Sequence, residues 1–218
     1  MEKRTFKAAL FDLDGVVFDT EPQYTIFWGS QCQEFHPEHP GLEHEIKGQT
    51  LVQIFDRHFD GELEKMQPLI VERLNEFEKN MNFEFIRGFE TFIRQLRDKG
   101  VKTAVVTSSN IDKMNAVYSK VKGFKDLFDA ILTSENFERS KPDPDCYQKA
   151  AQRFDAKADE CIVFEDSFNG LKSGCAAKMK VVGLSTTNSA ESISEYADKV
   201  IADYSTFDYN NCIEIINS

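Results

Sequence analysis

The chain has 218 residues, of which 41% are hydrophobic and 29% charged, and a formal net charge of −11. That length accommodates one domain, or one domain carrying an insertion, and the negative charge argues against a nucleic-acid backbone or an anionic membrane as partner. No run approaches the roughly 18 apolar residues of a membrane span, residues 1–6 leave no room for the apolar centre of a signal peptide, and five widely spaced cysteines without a CxxC pair predict reduced thiols in a cytoplasmic protein.

An apolar run at residues 8–11 stops at two carboxylates, Asp12 and Asp14, followed by Gly15. A run this short suits a strand buried on both faces. Asp12 then sits at the strand's carboxyl end, where open parallel sheets bind ligands, and Asp14 lies in a turn that Gly15 allows to bend. Neighbouring carboxylates repel, so a site that keeps both divides the work between a nucleophile or cation ligand and a proton carrier. The competing reading is an ordinary turn, where Asp and Gly are common.

Pro22 opens a predicted helix over 22–35, with Tyr24, Phe27, Trp28 and Cys32 on its apolar stripe. Residues 36–41 read as a loop, and His36, His39 and His44 lack a regular ligand spacing, which favours a solvated segment over a metal site. A short helix follows residues 47–50 and a long one covers 62–81, so residues 21–84 are expected to be helical throughout. From Gly88 the pattern changes to alternation. Helices are predicted from Phe89 to Gly100, which caps the first of them, and over 111–121, 145–154, 168–177, 190–196 and 207–216. Strands are predicted over 101–106, 130–133, 161–164, 180–184 and 200–202. This alternation predicts an α/β fold with a parallel sheet covered on both faces.

Chemistry follows the strands. The first ends in Asp12-x-Asp14, the second in Thr107-Ser108 and a later one in Glu165-Asp166, while Lys141 sits in the stiff loop Ser140-Lys141-Pro142-Asp143-Pro144. In a parallel sheet these ends share one edge, so one cleft gathers four carboxylates, an ammonium and a hydroxyl. A hard divalent ion, Mg²⁺, would offset the crowded negative charge and suits phosphoryl transfer. Thr107, Ser108 and the N-terminus of the next helix offer donors to an anion. Taken singly, Thr107 and Ser108 also read as a helix cap and Lys141 as a surface charge; Ser167 reads as a cap, and Asn110 and Asn169 as either caps or site contacts.

Asp12-Leu13-Asp14-Gly15-Val16, Thr107, Lys141-Pro142 and Glu165-Asp166-Ser167-x-x-Gly170 resemble, in order and spacing, the four motifs of the haloacid dehalogenase-like hydrolase superfamily. The helical insertion is similar to the cap of the subgroup containing phosphoglycolate phosphatase and β-phosphoglucomutase. The resemblance implies a Rossmann-like parallel-sheet core (residues 1–20 and 86–218) with an inserted α-helical cap domain (residues 21–85). It implies that Asp12 attacks phosphorus to form an aspartyl-phosphate and that Asp14 protonates the leaving oxygen and then activates water. Thr107 and Ser108 hold phosphate oxygens and Lys141 neutralises charge. Asp12, Asp166 and the Asp14 carbonyl ligate Mg²⁺, with Glu165 a further ligand or the partner of one. Specificity is expected from the cap through Lys47, Gln49, Thr50, Glu21 and Tyr24, with hinges near 19–21 and 85–88. The implied protein is a Mg²⁺-dependent phosphatase acting on a small phosphorylated metabolite, foremost a sugar phosphate; the chain is further expected to be monomeric and cytoplasmic. The alternatives are a β-phosphoglucomutase-type mutase and a non-catalytic module that binds such a metabolite. Tyr24 and Leu51 stand where such mutases place a histidine and an arginine, which favours water as the acceptor.

Overall fold

The structure is a computed structural model that describes residues 4–218. Strand β1 (Ala8–Phe11) is followed by four helices, α1 (Glu21–Phe35), α2 (Leu42–Glu45), α3 (Leu51–His58) and α4 (Gln67–Asn80). The remainder alternates: α5 (Phe89–Asp98), β2 (Lys102–Val106), α6 (Ile111–Lys120), β3 (Ala130–Leu132), α7 (Asp145–Arg153), β4 (Cys161–Glu165), α8 (Phe168–Ala176), β5 (Lys180–Leu184), α9 (Ala190–Ile193), β6 (Lys199–Ile201) and α10 (Tyr209–Asn217). The six strands form one parallel sheet in the order β3-β2-β1-β4-β5-β6. This is the α/β fold expected from the alternation.

Strand β1 lies in the middle because both of its faces are apolar. Side chains alternate across a sheet, and Ala9 and Phe11 join one core while Ala8 and Leu10 join the other. The first core is aromatic: Phe11 stacks on Phe164 with ring centroids 4.5 Å apart, and Phe89, Phe92 and Phe128 meet Phe11 edge-on. The second is built from small and aliphatic residues around the fully buried Tyr147. Among the described residues, Tyr204 carries the one buried side-chain polar atom without a partner, its hydroxyl. A buried hydroxyl without a hydrogen bond costs free energy that phenylalanine would not. Tyr204→Phe is expected to stabilise the protein by about 1 kcal/mol in a denaturant titration.

Helices α1 to α4 bury their stripes against one another, with Phe27, Trp28, Ile54, Phe59 and Ile70 in a third cluster. Two details differ from the expected helices. The segment read as a loop continues into the single-turn α2. The helix expected over 62–81 starts as a 3₁₀ turn, Gly61–Met66, and becomes an α-helix only at Gln67. Pro68 fixes that start: it has no N–H, and the first helical turn is where none is needed.

Candidate active site

The register of β1 assembles the site. Phe11 pairs with Val105 on one side and Phe164 on the other, so the residues after β1, β2 and β4 share one edge. The Asp12 amide donates to the Phe164 carbonyl at 3.0 Å, which fixes the turn. Gly15 has φ +69°, and a Cβ there would overlap the Asp166 carboxylate. Only glycine suits that combination of backbone conformation and close approach.

Lys141 reaches the same point from its loop. Its Nζ donates to Asp12 Oδ1 at 2.7 Å, Glu165 Oε1 at 2.6 Å and the Val106 carbonyl at 3.0 Å. These three acceptors match the three donors of an ammonium. Burial opposes charge on Lys141, but Asp12 and Glu165 outweigh it and hold the group protonated well above its usual range. Glu165 is fully engaged. Tyr147 Oη also donates to Oε1, at 2.8 Å, while the Asp166 amide, the Ser167 amide and Ser167 Oγ donate to Oε2. A Cβ at Gly170 would run into this carboxylate, which accounts for glycine at the end of the motif.

Oxygens of Asp12, Glu165 and Asp166 lie within 4.8 Å of one another. Burial, then Glu165 and Asp14, push the Asp12 carboxyl up to about 7 against the opposing pull of Lys141. Burial, followed by Glu165, Glu21 and Asp12, drives Asp166 well above the carboxylate range. Three crowded carboxylates facing one ammonium form an oxygen-only donor set short of positive charge, which fits a hard divalent ion such as Mg²⁺. Because protein donors occupy both oxygens of Glu165, Asp12 and Asp166 are the residues open to such an ion. Binding to the folded state alone raises stability by mass action. Mg²⁺ is therefore expected to raise the melting temperature of the wild-type protein, and Asp166→Asn to remove that rise in the same thermal melt.

Asp14 is held separately. Thr20 Oγ1 donates to Oδ1 at 2.7 Å, Ser109 Oγ donates to Oδ2 at 3.3 Å, and the Lys113 ammonium also donates to Oδ2. Lys113 projects from α6 with 2% of its side chain exposed. It also donates to Tyr24 Oη at 2.5 Å, and Tyr24 Oη donates to Glu78 Oε1 at 2.7 Å. A chain of hydrogen bonds thus runs from Asp14 into α1 and α4. Thr20, Glu78, Ser109, Lys113, Tyr147 and Thr187, which donates to Asp166 Oδ2, were not anticipated from the sequence. A lone lysine or glutamate on a helix reads there as a solvated charge, and only the tertiary fold reveals its partner.

The anion-binding donors are narrower than expected. Asn110 caps α6 by accepting from the Lys113 amide, and the Ile111 amide donates to Glu135, so two amides of that first turn are already committed. Thr107 Oγ1 accepts from the Ser109 amide at 3.0 Å, which leaves its own proton free to donate. Among the described residues the Ser108 amide has no protein acceptor. Ser167 accepts from the Gly170 amide, as expected of a cap. Asn169 instead reaches across to the Gly48 carbonyl and Gln53 Oε1, tying the start of α8 to the loop before α3.

All of the sequence-selected residues except Glu165 line one cavity of about 420 Å³ between the sheet edge and α1–α4. Glu21, Tyr24 and Lys47 line it, with the Tyr24 hydroxyl held between Lys113 and Glu78. Burial and then Asp14 push the Glu21 carboxyl up, with Lys47 and Lys113 opposing. Gln49 and Thr50 line the wall but spend hydrogen bonds locally: Gln49 bonds the Glu45 carbonyl and Arg57, and Thr50 shares a capping box with Gln53. The three histidines form no metal group among the described residues. His39 pairs with Glu45, His44 with Glu43, and His36 with Glu38 and the His58 carbonyl.

Comparison with known proteins identifies the family. The family described as haloacid dehalogenase-like hydrolase matches residues 9–184. YhcW of Bacillus subtilis, which carries a phosphatase name, is 32% identical over 186 residues, spanning 81% of this chain and 82% of its own. A probable pseudouridine-5'-phosphatase of Saccharomyces cerevisiae is 31% identical over 192 residues, spanning 81% of each chain. The crystal structure of a hydrolase of this class from Entamoeba histolytica shares the fold with a TM-score of 0.82 at 19% identity, over 97% of this chain and 100% of its own. The chain belongs to the haloacid dehalogenase-like hydrolase family. Among the described residues no helix is long and apolar enough to cross a membrane.

Proposed function

We propose that this phosphatase hydrolyses small phosphorylated metabolites, sugar phosphates foremost, through an aspartyl-phosphate on Asp12. The observation that carries the reading is the pairing of Asp12 with a buried lysine on the wall of a cavity, with Asp14 held apart on its own donors. In the first step an Asp12 oxygen forms a bond to phosphorus, the bond to the ester oxygen breaks, and Asp14 gives that oxygen its proton. In the second step water attacks the same phosphorus, Asp14 takes the water proton, and phosphate leaves with Asp12 restored. Lys141 offsets the negative charge of the nucleophile and the transferring group. The Thr107 hydroxyl and the Ser108 amide donate to phosphate oxygens. Bound by Asp12, Asp166 and the Asp14 carbonyl, Mg²⁺ would supply charge neutralisation for the phosphoryl group.

Residues 21–85 act as a cap domain over a core of residues 1–20 and 86–218, and exclude bulk water during turnover. The test is phosphate release from a panel of phosphorylated metabolites with Mg²⁺. Folded protein that releases phosphate from none of them would overturn the reading in favour of a binding module. Conversion of β-glucose 1-phosphate to glucose 6-phosphate in place of free phosphate would favour a mutase.

A further inference from the structure

The wall that α1–α4 and their loops give the cavity has a definite chemical character. It is apolar in part, with Trp28, Ile46, Leu51, Ile54, Val71 and Leu74. Its charged groups are mainly acidic: the carboxylates of Glu21, Glu43 and Glu78, beside the neutral Tyr24, Thr25, Gln49, Thr50 and Asn75. Lys47 is the one cation that α1–α4 and their loops bring to the wall, and Glu21 lies within its field. The two arginines of this segment point elsewhere: Arg57 donates to Gln49, and Arg73 pairs with Glu34. Neither lines the cavity.

Three carboxylates outnumber the cations near them, Lys47 on the wall and Lys113 behind Tyr24, so this wall disfavours an anion. Burial already raises the carboxyls of Glu21 and Glu78. A second phosphate or carboxylate placed beside them either meets like charge or forces proton uptake, and both cost free energy. A hydroxyl or amine, by contrast, finds acceptors there, and a ring face finds Trp28 and the aliphatic wall. A volume of about 420 Å³ lies within the roughly 300–1,000 Å³ of small-molecule sites. It exceeds the need of a phosphoryl group on a two-carbon acid.

Building on the phosphatase reading of this site, we infer that the substrate is a monophosphate ester of a ring-bearing alcohol that is rich in hydrogen-bond donors and lacks a second anionic group. Nucleoside 5'-monophosphates and hexose monophosphates meet that description; bisphosphates, phosphoglycolate and pyrophosphate do not.

The experiment compares kcat/KM for matched pairs: uridine 5'-monophosphate against uridine 3',5'-bisphosphate, and glucose 6-phosphate against glucose 1,6-bisphosphate. Phosphoglycolate and glycerol 1-phosphate serve as small references. The monophosphate of each pair is expected to be favoured by at least about tenfold, the ratio that a cost of one pKa unit on a wall carboxyl produces, and to exceed both small references. Glu43→Gln removes one wall charge without touching Asp12 or Asp14, and is expected to narrow the gap within each pair. Equal or better turnover of the bisphosphates or phosphoglycolate would overturn the substrate class while leaving the phosphatase standing. Absence of phosphate release from every ester would overturn the phosphatase reading, and the substrate class with it.

Discussion

Asp12→Asn protein is expected to release phosphate at a rate lower by on the order of 10⁴-fold or more, while remaining folded. The amide keeps the shape of the carboxylate but lacks a nucleophilic oxygen anion, so the step that forms the aspartyl-phosphate has no substitute. The fold tolerates the change because burial already pushes the Asp12 carboxyl up to about 7; a neutral side chain there relieves an unfavourable charge. Lys141 loses an anionic partner, but the amide oxygen can still accept from it, and Glu165 and the Val106 carbonyl remain. The same shift sets a sign for stability. In the metal-free protein the folded carboxyl titrates near 7 and the unfolded one near 3.8, so the folded state holds the proton more tightly. The contribution of this group to stability is therefore present at low pH and is lost as pH rises across that window. Asp12→Asn removes this component of the pH slope. Turnover with Mg²⁺ and thermal melts at pH 5 and pH 8, on both proteins, check the two statements. Substantial remaining turnover in the variant would end the case for Asp12 as nucleophile.

The residues that stood out in the sequence are those whose position is set by a strand end. Asp12, Thr107, Glu165 and Asp166 each follow an apolar run, and a parallel sheet of such runs must bring their ends to one edge. Lys141 stood out because prolines flank its loop. What stayed hidden depends on helix rotation and on strand order, neither of which has a local signature. Lys113 lies in the first turn of α6 near Asp112 and Asn115, where a charge ordinarily faces water, yet its side chain is buried against Asp14 and Tyr24. Tyr147 looks like one more core aromatic until its hydroxyl is found on Glu165. Thr187 and Asn188 follow β5, a strand whose end carried no carboxylate to mark it, and both bond Asp166. Helix α2 has a single turn, too short for any periodicity to register.

Lys113→Met separates a role at Asp14 from a role in holding α6. Methionine fills a similar length without charge, so Asp14 keeps the Thr20 and Ser109 hydroxyls but loses its ammonium. The Asp14 carboxyl is then free to leave the orientation from which it reaches the ester oxygen. Proton donation matters most where the leaving alkoxide is poor, and general acid catalysis contributes about 10²–10⁴-fold there. For glucose 6-phosphate, kcat is expected to fall by roughly 10²-fold, at the lower end because Asp14 itself remains. For p-nitrophenyl phosphate, whose leaving group departs without a proton, the first turnover is expected to keep its rate. Nitrophenol should then appear as a burst followed by a slow phase, since hydrolysis of the aspartyl-phosphate still needs Asp14 as base. Removing one partner of a buried ion pair costs about 3–5 kcal/mol in stability, so a lower melting temperature alone decides nothing. The discriminating readout is the split between substrates. Equal losses on both esters, without a burst, would mean that Lys113 holds the helix and not the acid.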